Sequence, residues 1–314
     1  MRLPRLRTIA AAATAGPAAL LTGQMWWVRM KFRLPPDACG PSSGEEQPAS
    51  AAGPKTSGRT RNIVFLGDSI VTGVGCSAEA SEQHGPVMPR RVASILAQEL
   101  GASVRWSCLG ETGADVRMLQ SRLLPKLRED VVRVTEEGQR VDAVVVMTGL
   151  NDIKECFLFA QPVSCHPWRF GAMLTTLLSS VCEVAGAGCA CVVPGHPIEA
   201  TPRFNQFWPL SAAVRGVTAL WEDQKRQAAE AAQAREAERS SQQLRNGGAG
   251  EKGATPKDET SFISFIAPPP SMVAQLLHGA DYFAADGMHP NDKGYALWAE
   301  IIAGSLLPAL ERRG

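Results

Sequence analysis

The chain has 314 residues, of which 45% are hydrophobic and 20% charged, a balance typical of one large globular domain or two smaller ones. Its formal net charge is +1, but six positive charges precede the first acidic residue, Asp37, so the remainder of the chain carries −5. A mildly acidic body excludes the basic footprint that nucleic-acid-binding proteins need.

The N-terminal segment, residues 1–33, has the features of a membrane anchor. Residues 8–28 carry no charge, are flanked by basic residues, and end close to the pair Trp26 and Trp27. That length suits one bilayer crossing, and tryptophan is enriched at membrane interfaces, so we expect a membrane-associated protein. The same Arg-rich, acid-free, Ala/Thr-rich pattern is also typical of a cleaved transit peptide, which would direct the protein to a mitochondrion or plastid. Both interpretations remain open.

Residues 34–61 separate this segment from the rest of the chain. They are dense in Pro, Gly, Ser and Ala. Such a composition does not form a packed core, so we predict a disordered linker. A single domain over residues 62–314 follows.

Short apolar runs alternate with helical patterns from residue 62 onward. The runs typical of buried strands lie at 62–67, 102–110, 142–149, 189–195 and 262–267. Helical stripes lie between them, for example at Val116, Leu119, Leu123 and Leu127, and a last one follows Pro290. The alternation predicts an α/β fold, a three-layer α/β/α sandwich around a mostly parallel five-stranded sheet. Ligands of such sheets meet the carboxyl ends of the strands.

One segment, residues 224–261, departs from this rhythm. It opens as a helix whose only apolar residues are alanines and continues into a loop rich in Gly, Lys and Asp. We predict a charged insertion consisting of a solvated helix extension and a disordered loop, because this composition offers little to bury. A partner-binding helix is the alternative.

Five residues in the loops that follow the strands have the chemistry of an ester hydrolase. Ser69 follows the first strand, where a helix N-terminus would hold the hydroxyl of a nucleophile. His289 is a candidate general base, and Asp286, three residues earlier, would orient its ring. The Asn151 side chain and the backbone N–H groups of Gly113 and Ser69 would stabilise the oxyanion. We expect structural roles for the neighbouring acids Asp68 and Asp152, and no special role for His196.

The motifs "GDS", "ETGAD", "GLND" and "DGMH" resemble, in order, four blocks of the SGNH, or GDSL-type, hydrolases. The resemblance spans about residues 62–312, and the apolar N-terminal segment resembles that of a bacterial subgroup. It implies a flavodoxin-like fold and a metal-independent esterase. By position, it implies the nucleophile Ser69, a triad with Asp286 and His289, and an oxyanion hole of Ser69, Gly113 and Asn151, with the neighbouring Gly110 as the alternative to Gly113.

The sequence predicts no cofactor and no metal. It contains neither phosphate-binding glycine motif, G-x-G-x-x-G or G-x-x-x-x-G-K-[ST], and no H-E-x-x-H, and its eight cysteines include no C-x-x-C pair. We therefore expect a small-molecule or lipid ester as substrate, with the membrane-proximal basic residues favouring lipid. A non-catalytic binding or scaffolding protein of the same fold, and a carbohydrate O-deacetylase, remain as alternatives.

Overall fold

The computed structural model describes residues 6–48, 59–158, 166–246 and 261–312. Six strands form one sheet in the order β1-β3-β2-β4-β5-β6. The five strands from β2 onward pair in parallel, and β1 pairs antiparallel with β3. The strands are β1 Ser43–Glu46, β2 Arg61–Gly67, β3 Val104–Gly110, β4 Ala143–Met147, β5 Ala190–Pro194 and β6 Phe262–Ile266.

The parallel strands and the α/β class confirm the fold predicted from the sequence, but the predicted number of five strands was wrong. The additional strand, β1, lies inside the segment expected to be a disordered linker. Its residues carry little apolar surface, and it is held by backbone hydrogen bonds along β3, with Ser43 opposite Ser107 and Glu46 opposite Val104. An edge strand of this kind needs no buried side chains, so hydrophobic periodicity cannot reveal it.

Helices cover both faces of the sheet. In chain order they are α1 Leu6–Lys31, α2 Ala78–Ser81, α3 Val87–Leu100, α4 Val116–Met118, α5 Leu124–Glu136, α6 Leu150–Leu158, α7 Pro167–Ala185, α8 Pro202–Asn205, α9 Leu210–Asn246, α10 Pro270–His278 and α11 Asp292–Glu311. A π-helical turn, Leu119–Leu123, joins α4 to α5. The resulting layers are α3, α10 and α11 on one face and α5, α7 and α9 on the other.

Alternate residues of the central strands supply the two cores. Phe65 of β2 and Val145 of β4 face α3 and α11, whereas Leu66 and Val146 face α5 and α7. Every residue of β2 and β4 is buried, as a strand covered on both faces requires. The β-branched valines of β4 suit this position, because they pack well on a pleated surface.

The helix α9 belongs to the second core, contrary to the sequence-based prediction for residues 224–246. Trp221, Ala228, Ala229 and Ala232 are buried against α7 and β6. Gln233 also supports β6, because its side-chain oxygen accepts a hydrogen bond of 2.6 Å from the Ile263 N–H. Small side chains let the two helices approach closely, so an alanine stripe packs here where larger residues would not fit. The rest of the predicted insertion, residues 247–260, lies outside the described residues.

The N-terminal helix α1 ends beside the loop that precedes α9. The Gln24 side chain donates to the Trp208 carbonyl oxygen and accepts from the Leu210 N–H, at 2.9 and 3.1 Å. In the part of the chain that the structure describes, no helix has both the length and the apolar character that a bilayer crossing requires.

Candidate active site

The carboxyl ends of β2, β3 and β4 bring three of the predicted loops together. These strands are neighbours in the sheet and run parallel, so they end at the same edge. Ser69 and Gly113 lie in the loops after β2 and β3, and Asn151 is the second residue of α6, which follows β4 after a short turn. A fourth loop, between α10 and α11, carries Asp286 and His289. The structure therefore brings these segments together at the carboxyl edge of the sheet, as the sequence predicts.

Ser69 lies two residues after β2 and is only 4% exposed. The expectation that the Ser69 hydroxyl lies over a helix N-terminus was wrong, because the chain makes turns from 68 to 75 and the next helix, α2, begins at Ala78. Gly73 and Gly75 have φ values of +74° and +95°. Residues other than glycine rarely adopt this backbone conformation, and it is incompatible with a continuous α-helix. A tight turn, and not a helix N-terminus, positions the hydroxyl.

Two buried hydrogen bonds connect Ser69, His289 and Asp286. The distance from Ser69 Oγ to His289 Nε2 is 2.9 Å, and from His289 Nδ1 to Asp286 Oδ2 it is 2.6 Å. All three side chains are buried. With the Nδ1 hydrogen directed at the carboxylate, Nε2 is free to accept the hydroxyl proton, which is the arrangement that activates a serine.

The Asp286 carboxylate is stabilised in its ionised form. Burial by itself would raise its pKa, but hydrogen bonds from the His289 ring and from backbone N–H groups lower the pKa below its usual range. The Met288 and His289 N–H groups each donate to Asp286 Oδ1 at 3.0 Å. The Arg203 side chain donates to the Asp286 carbonyl oxygen at 2.8 Å. The turn therefore fixes both the charge and the direction of this carboxylate.

A missing side chain allows the serine turn and the histidine loop to approach each other. A Cβ on Gly75 would lie 2.5 Å from the Pro290 carbonyl oxygen. The Tyr295 hydroxyl, buried at the start of α11, donates to the Val74 carbonyl oxygen at 2.7 Å and links the two loops. The separation of Ser69 from His289 thus depends on one glycine and one tyrosine.

The Asn151 side chain has its hydrogen-bonding capacity occupied. Its Nδ2 donates to Asp68 Oδ2 at 3.2 Å and to the Ala114 carbonyl oxygen at 3.0 Å, and its Oδ1 accepts from Lys154 Nζ at 2.9 Å. Asp68 is fully buried and also accepts from the Ile70 N–H. Burial raises the pKa of Asp68 to about 6, against the lowering effect of its hydrogen bonds and of nearby positive charges.

Two backbone N–H groups in the loops after β2 and β3 remain available. Within the described ranges, the N–H groups of Ser69 and Gly113 donate no hydrogen bond. Gly113 has a φ of +87°, and a Cβ at this position would point into open space. Two such donors, unoccupied and at the sheet edge, can receive a developing negative charge.

The Asp152 carboxylate braces the neighbouring loop. Both of its oxygens lie 3.3 Å from the Val116 N–H, which follows the Gly113 turn. Burial is the main cause that raises the pKa of Asp152 to about 7. Asp152 Oδ2 also accepts a hydrogen bond from the Thr148 hydroxyl at 3.5 Å, so this carboxylate holds both its own segment after β4 and the loop after β3, in line with the structural role expected for it.

His196, for which we expected no special role, lies in a buried charged cluster. Its Nδ1 is 2.6 Å from Lys225 Nζ, which also donates to Glu222 at 2.8 Å. Burial, together with the positive charge of Lys225, lowers the pKa of His196 well below its usual range, so the ring is neutral. A Cβ on Gly149 would lie 2.8 Å from Lys225 Cε, so the cluster packs directly against the loop that precedes Asn151.

Sequence reasoning missed several residues that support this site. Asp37, in the predicted linker, accepts hydrogen bonds from the hydroxyls of Thr72 and Thr112. The two threonines lie in the Ser69 turn and the Gly113 loop, and their hydroxyls are 2.7 Å apart. No local pattern marks such an aspartate, because its role exists only when three distant segments meet.

Two cavities in the described part of the chain differ in how they relate to the predicted site residues. A groove of about 760 Å³ lies between β1, β3 and α5, and none of the five predicted site residues lines it. A smaller cavity of about 40 Å³ is lined by Ile70, Leu150 and Met288, the sequence neighbours of Ser69, Asn151 and His289. No cluster of three potential metal ligands occurs among the described residues.

Several solved structures are similar to this chain. A variant of an acetyl xylan esterase from Geobacillus stearothermophilus is 18% identical, with a TM-score of 0.47, over 79% of this chain and 94% of its own. An alpha/beta hydrolase from the metagenome of Lake Arreo, Spain, is 18% identical, with a TM-score of 0.44, over 81% and 96%. A protein from Parabacteroides merdae described as a GDSL-like lipase is 18% identical, with a TM-score of 0.48, over 79% and 96%. No functional conclusion follows from similarities at this level.

Comparison with curated protein sequences gave no match. The profile of the GDSL-like lipase/acylhydrolase family, however, matches residues 65–246, which is more than half of the chain. The matched region contains Ser69, Gly113 and Asn151, and it ends before Asp286 and His289. The chain belongs to the GDSL-like lipase/acylhydrolase family and is an ester hydrolase.

Proposed function

We propose that the chain hydrolyses carboxylic esters through an acyl-enzyme intermediate, with Ser69 as nucleophile, His289 as general base and Asp286 as the group that orients His289. The observation that carries this proposal is the unbroken pair of buried hydrogen bonds, 2.9 Å from Ser69 Oγ to His289 Nε2 and 2.6 Å from His289 Nδ1 to Asp286 Oδ2. A base in contact with both its nucleophile and its orienting carboxylate is the signature of this chemistry.

The steps follow from this geometry. His289 Nε2 takes the hydroxyl proton as Ser69 Oγ bonds to the ester carbonyl carbon, and the carbonyl oxygen becomes the oxyanion. When the carbon–oxygen bond of the alcohol breaks, the imidazolium gives that proton to the departing oxygen. Water then attacks the acyl-serine, again losing its proton to His289, and the carboxylic acid leaves as Ser69 recovers its hydrogen.

Three donors are proposed for the oxyanion. The N–H groups of Ser69 and Gly113 are unoccupied in the described part of the chain, which supports their role. The Asn151 amide is engaged, so we propose that substrate takes over its longer hydrogen bond, the one of 3.2 Å to Asp68. A donor held in place beforehand costs little reorganisation when charge develops.

Activity-based labelling tests the proposal. A fluorophosphonate probe should label the wild-type chain and should not label Ser69→Ala. Ser241→Ala, at an exposed position on α9, is the matched control and should be labelled like the wild type. Equal labelling of wild type and Ser69→Ala, or no turnover of any nitrophenyl ester, would favour the alternative of a non-catalytic binding protein.

We further propose a short acyl group for the substrate. The cavity of about 40 Å³ next to the catalytic loops is lined mainly by apolar side chains, among them Ile70, Phe204 and Met288. A space of this size admits an acetyl to butyryl group better than a long fatty acyl chain. This proposal replaces the earlier expectation, in which the basic N-terminal residues favoured lipid esters.

A chain-length series of nitrophenyl esters measures this preference. We expect kcat/KM for acetate and butyrate to exceed that for dodecanoate by about tenfold or more, because a long chain overfills the cavity. Phe204→Ala should reduce the ratio of kcat/KM for short esters to kcat/KM for dodecanoate, because it enlarges the cavity. A wild-type enzyme that prefers dodecanoate would contradict the proposed acyl pocket while leaving the triad intact.

A further inference from the structure

Four exposed aromatic side chains gather where α1 meets the loop before α9. Trp26 and Trp208 are 64% and 65% exposed, and Trp27 and Phe207 are also exposed. The rings of Trp27 and Phe207 pack edge to face, with centroids 6.0 Å apart. Single exposed apolar residues are common on protein surfaces, whereas a group of exposed aromatic residues in contact indicates an interaction surface.

The two parts of this surface are held together. Gln24 of α1 bonds both to the Trp208 carbonyl oxygen and to the Leu210 N–H, although these residues are far away in sequence. The Arg203 guanidinium lies 6.0 Å from the centroid of the Trp27 ring, within the range of a cation–π contact. The surface is therefore one feature of the fold and not two unrelated exposed segments.

The tryptophans of α1 lie in a stretch of the sequence whose charges have one sign. No acidic residue occurs among residues 1–36, whereas Arg29, Lys31 and Arg33 follow the tryptophans directly. Tryptophan partitions to the headgroup level of a bilayer, and Lys and Arg are attracted to anionic lipid headgroups. Of the possible occupants, an anionic phospholipid bilayer matches both the aromatic and the basic character.

We propose that this aromatic–basic surface, formed by Trp26, Trp27, Lys31, Arg33, Arg203, Phe207 and Trp208, docks the protein on an anionic phospholipid bilayer as a peripheral contact. The surface lies next to the active site. Arg203, one of its members, donates from its N–H to the Gly287 carbonyl oxygen at 3.0 Å and from its side chain to the Asp286 carbonyl oxygen at 2.8 Å. Docking would hold the catalytic turn close to the lipid headgroups.

Vesicle binding of the full chain tests this proposal separately from catalysis. The Ser69→Ala chain is used throughout, so that binding is measured without hydrolysis and does not depend on the proposed function. It should sediment with vesicles of 7:3 phosphatidylcholine and phosphatidylglycerol, and bind far less to pure phosphatidylcholine. High salt should weaken the binding, because it screens the charges.

Variants then locate the contact. We expect the double variant Trp26→Ala/Trp208→Ala to bind about tenfold more weakly or worse, and Lys31→Gln and Arg33→Gln to lose about fivefold each. Trp168→Ala is the matched control, because Trp168 is also 64% exposed but belongs to α7, where it stacks on His166. It should bind like its parent.

Three outcomes would overturn the proposal. Absence of binding to anionic vesicles is the first. The second is undiminished binding by the double variant, with loss only when residues 1–20 are deleted, which would assign attachment to the apolar segment. The third is a dimer in light scattering that the double variant abolishes without any change in vesicle binding, which would assign the surface to a second copy of the chain.

Discussion

At the scale of single residues, Asn151 shows how a buried carboxylate fixes the orientation of an amide side chain. Asp68 is fully buried and holds one hydrogen of the Asn151 amide, while Lys154 holds the amide oxygen. These two contacts leave the side chain one orientation. The sequence predicted a structural role for Asp68 but not this partner, because the two residues are 83 positions apart.

We expect Asn151→Ala to lower kcat by about 10² to 10³ while changing KM little, the cost typical of removing one oxyanion donor. Lys154→Met should lower kcat less, because it releases the amide oxygen without removing the donor. Steady-state kinetics on a nitrophenyl ester measure both variants. A change confined to KM would assign Asn151 to substrate binding in place of transition-state stabilisation.

The raised pKa of Asp152, about 7, makes a prediction about stability. In the unfolded chain this carboxyl titrates near 3.8, so between these values the folded state binds the proton more tightly. The stabilisation from this group is present at low pH and is lost as the pH rises through 7. Relative to Asp152→Asn, the wild type should lose about 3 kcal/mol of unfolding free energy between pH 5 and pH 8.

Urea denaturation at these two pH values measures the difference. The asparagine retains an oxygen that can accept from the Val116 N–H, so the variant keeps the contact and loses only the titration. An equal pH dependence in the two proteins would mean that the carboxyl titrates near its usual value when folded.

At the scale of elements, the sequence predicted those helices and strands whose buried faces produce a regular pattern of apolar residues. Strands β2 to β6 and the helices α3 and α11 follow from continuous apolar runs and apolar stripes. The signal failed for β1, which is held by backbone pairing, and for α9, whose buried face consists largely of alanine. In the segments that form the candidate site, the sequence pointed to Ser, His, Asp and Asn residues because their side chains have the functional groups that ester hydrolysis needs. The supporting contacts of Asp37, Arg203 and Tyr295 were not, because each joins segments far apart in sequence.

The packing of α9 can be tested with two adjacent alanines. Ala232 is fully buried, whereas Ala231 is exposed. We expect Ala232→Leu to lower the unfolding free energy by about 1 to 3 kcal/mol, because the larger side chain has no space between α9 and the layer beneath it. Ala231→Leu should change it by about 0.5 kcal/mol at most. Similar values for the two variants would indicate that this part of α9 is solvated on all sides.

At the scale of the whole molecule, residues 32–46, which follow α1 and include β1, form a strap that lies along β3 at the edge of the sheet. It pairs β1 with β3, and the Ala38 N–H donates to the Thr72 carbonyl oxygen at 3.1 Å. Gly40 passes so close to Ser81 that a Cβ would overlap the Ser81 carbonyl oxygen. Through Asp37 the same segment bridges the Ser69 turn and the Gly113 loop. A stretch whose composition predicts a linker thus contacts both the sheet and two of the loops at the candidate site.

Two fragments separate the structural from the catalytic contribution of this strap. A fragment of residues 35–314 retains Asp37 and β1, whereas one of residues 60–314 loses both. We expect the shorter fragment to melt about 3 to 8 °C lower, because the β1 pairing is gone, and to have a lower kcat, because the Gly113 loop has lost its support. Asp37→Ala in the longer fragment should reproduce the fall in kcat with a smaller change in Tm, since it keeps β1.

Calorimetry and nitrophenyl ester kinetics on the three proteins measure these effects. Equal Tm and equal kcat for the two fragments would return residues 35–59 to the role of a linker.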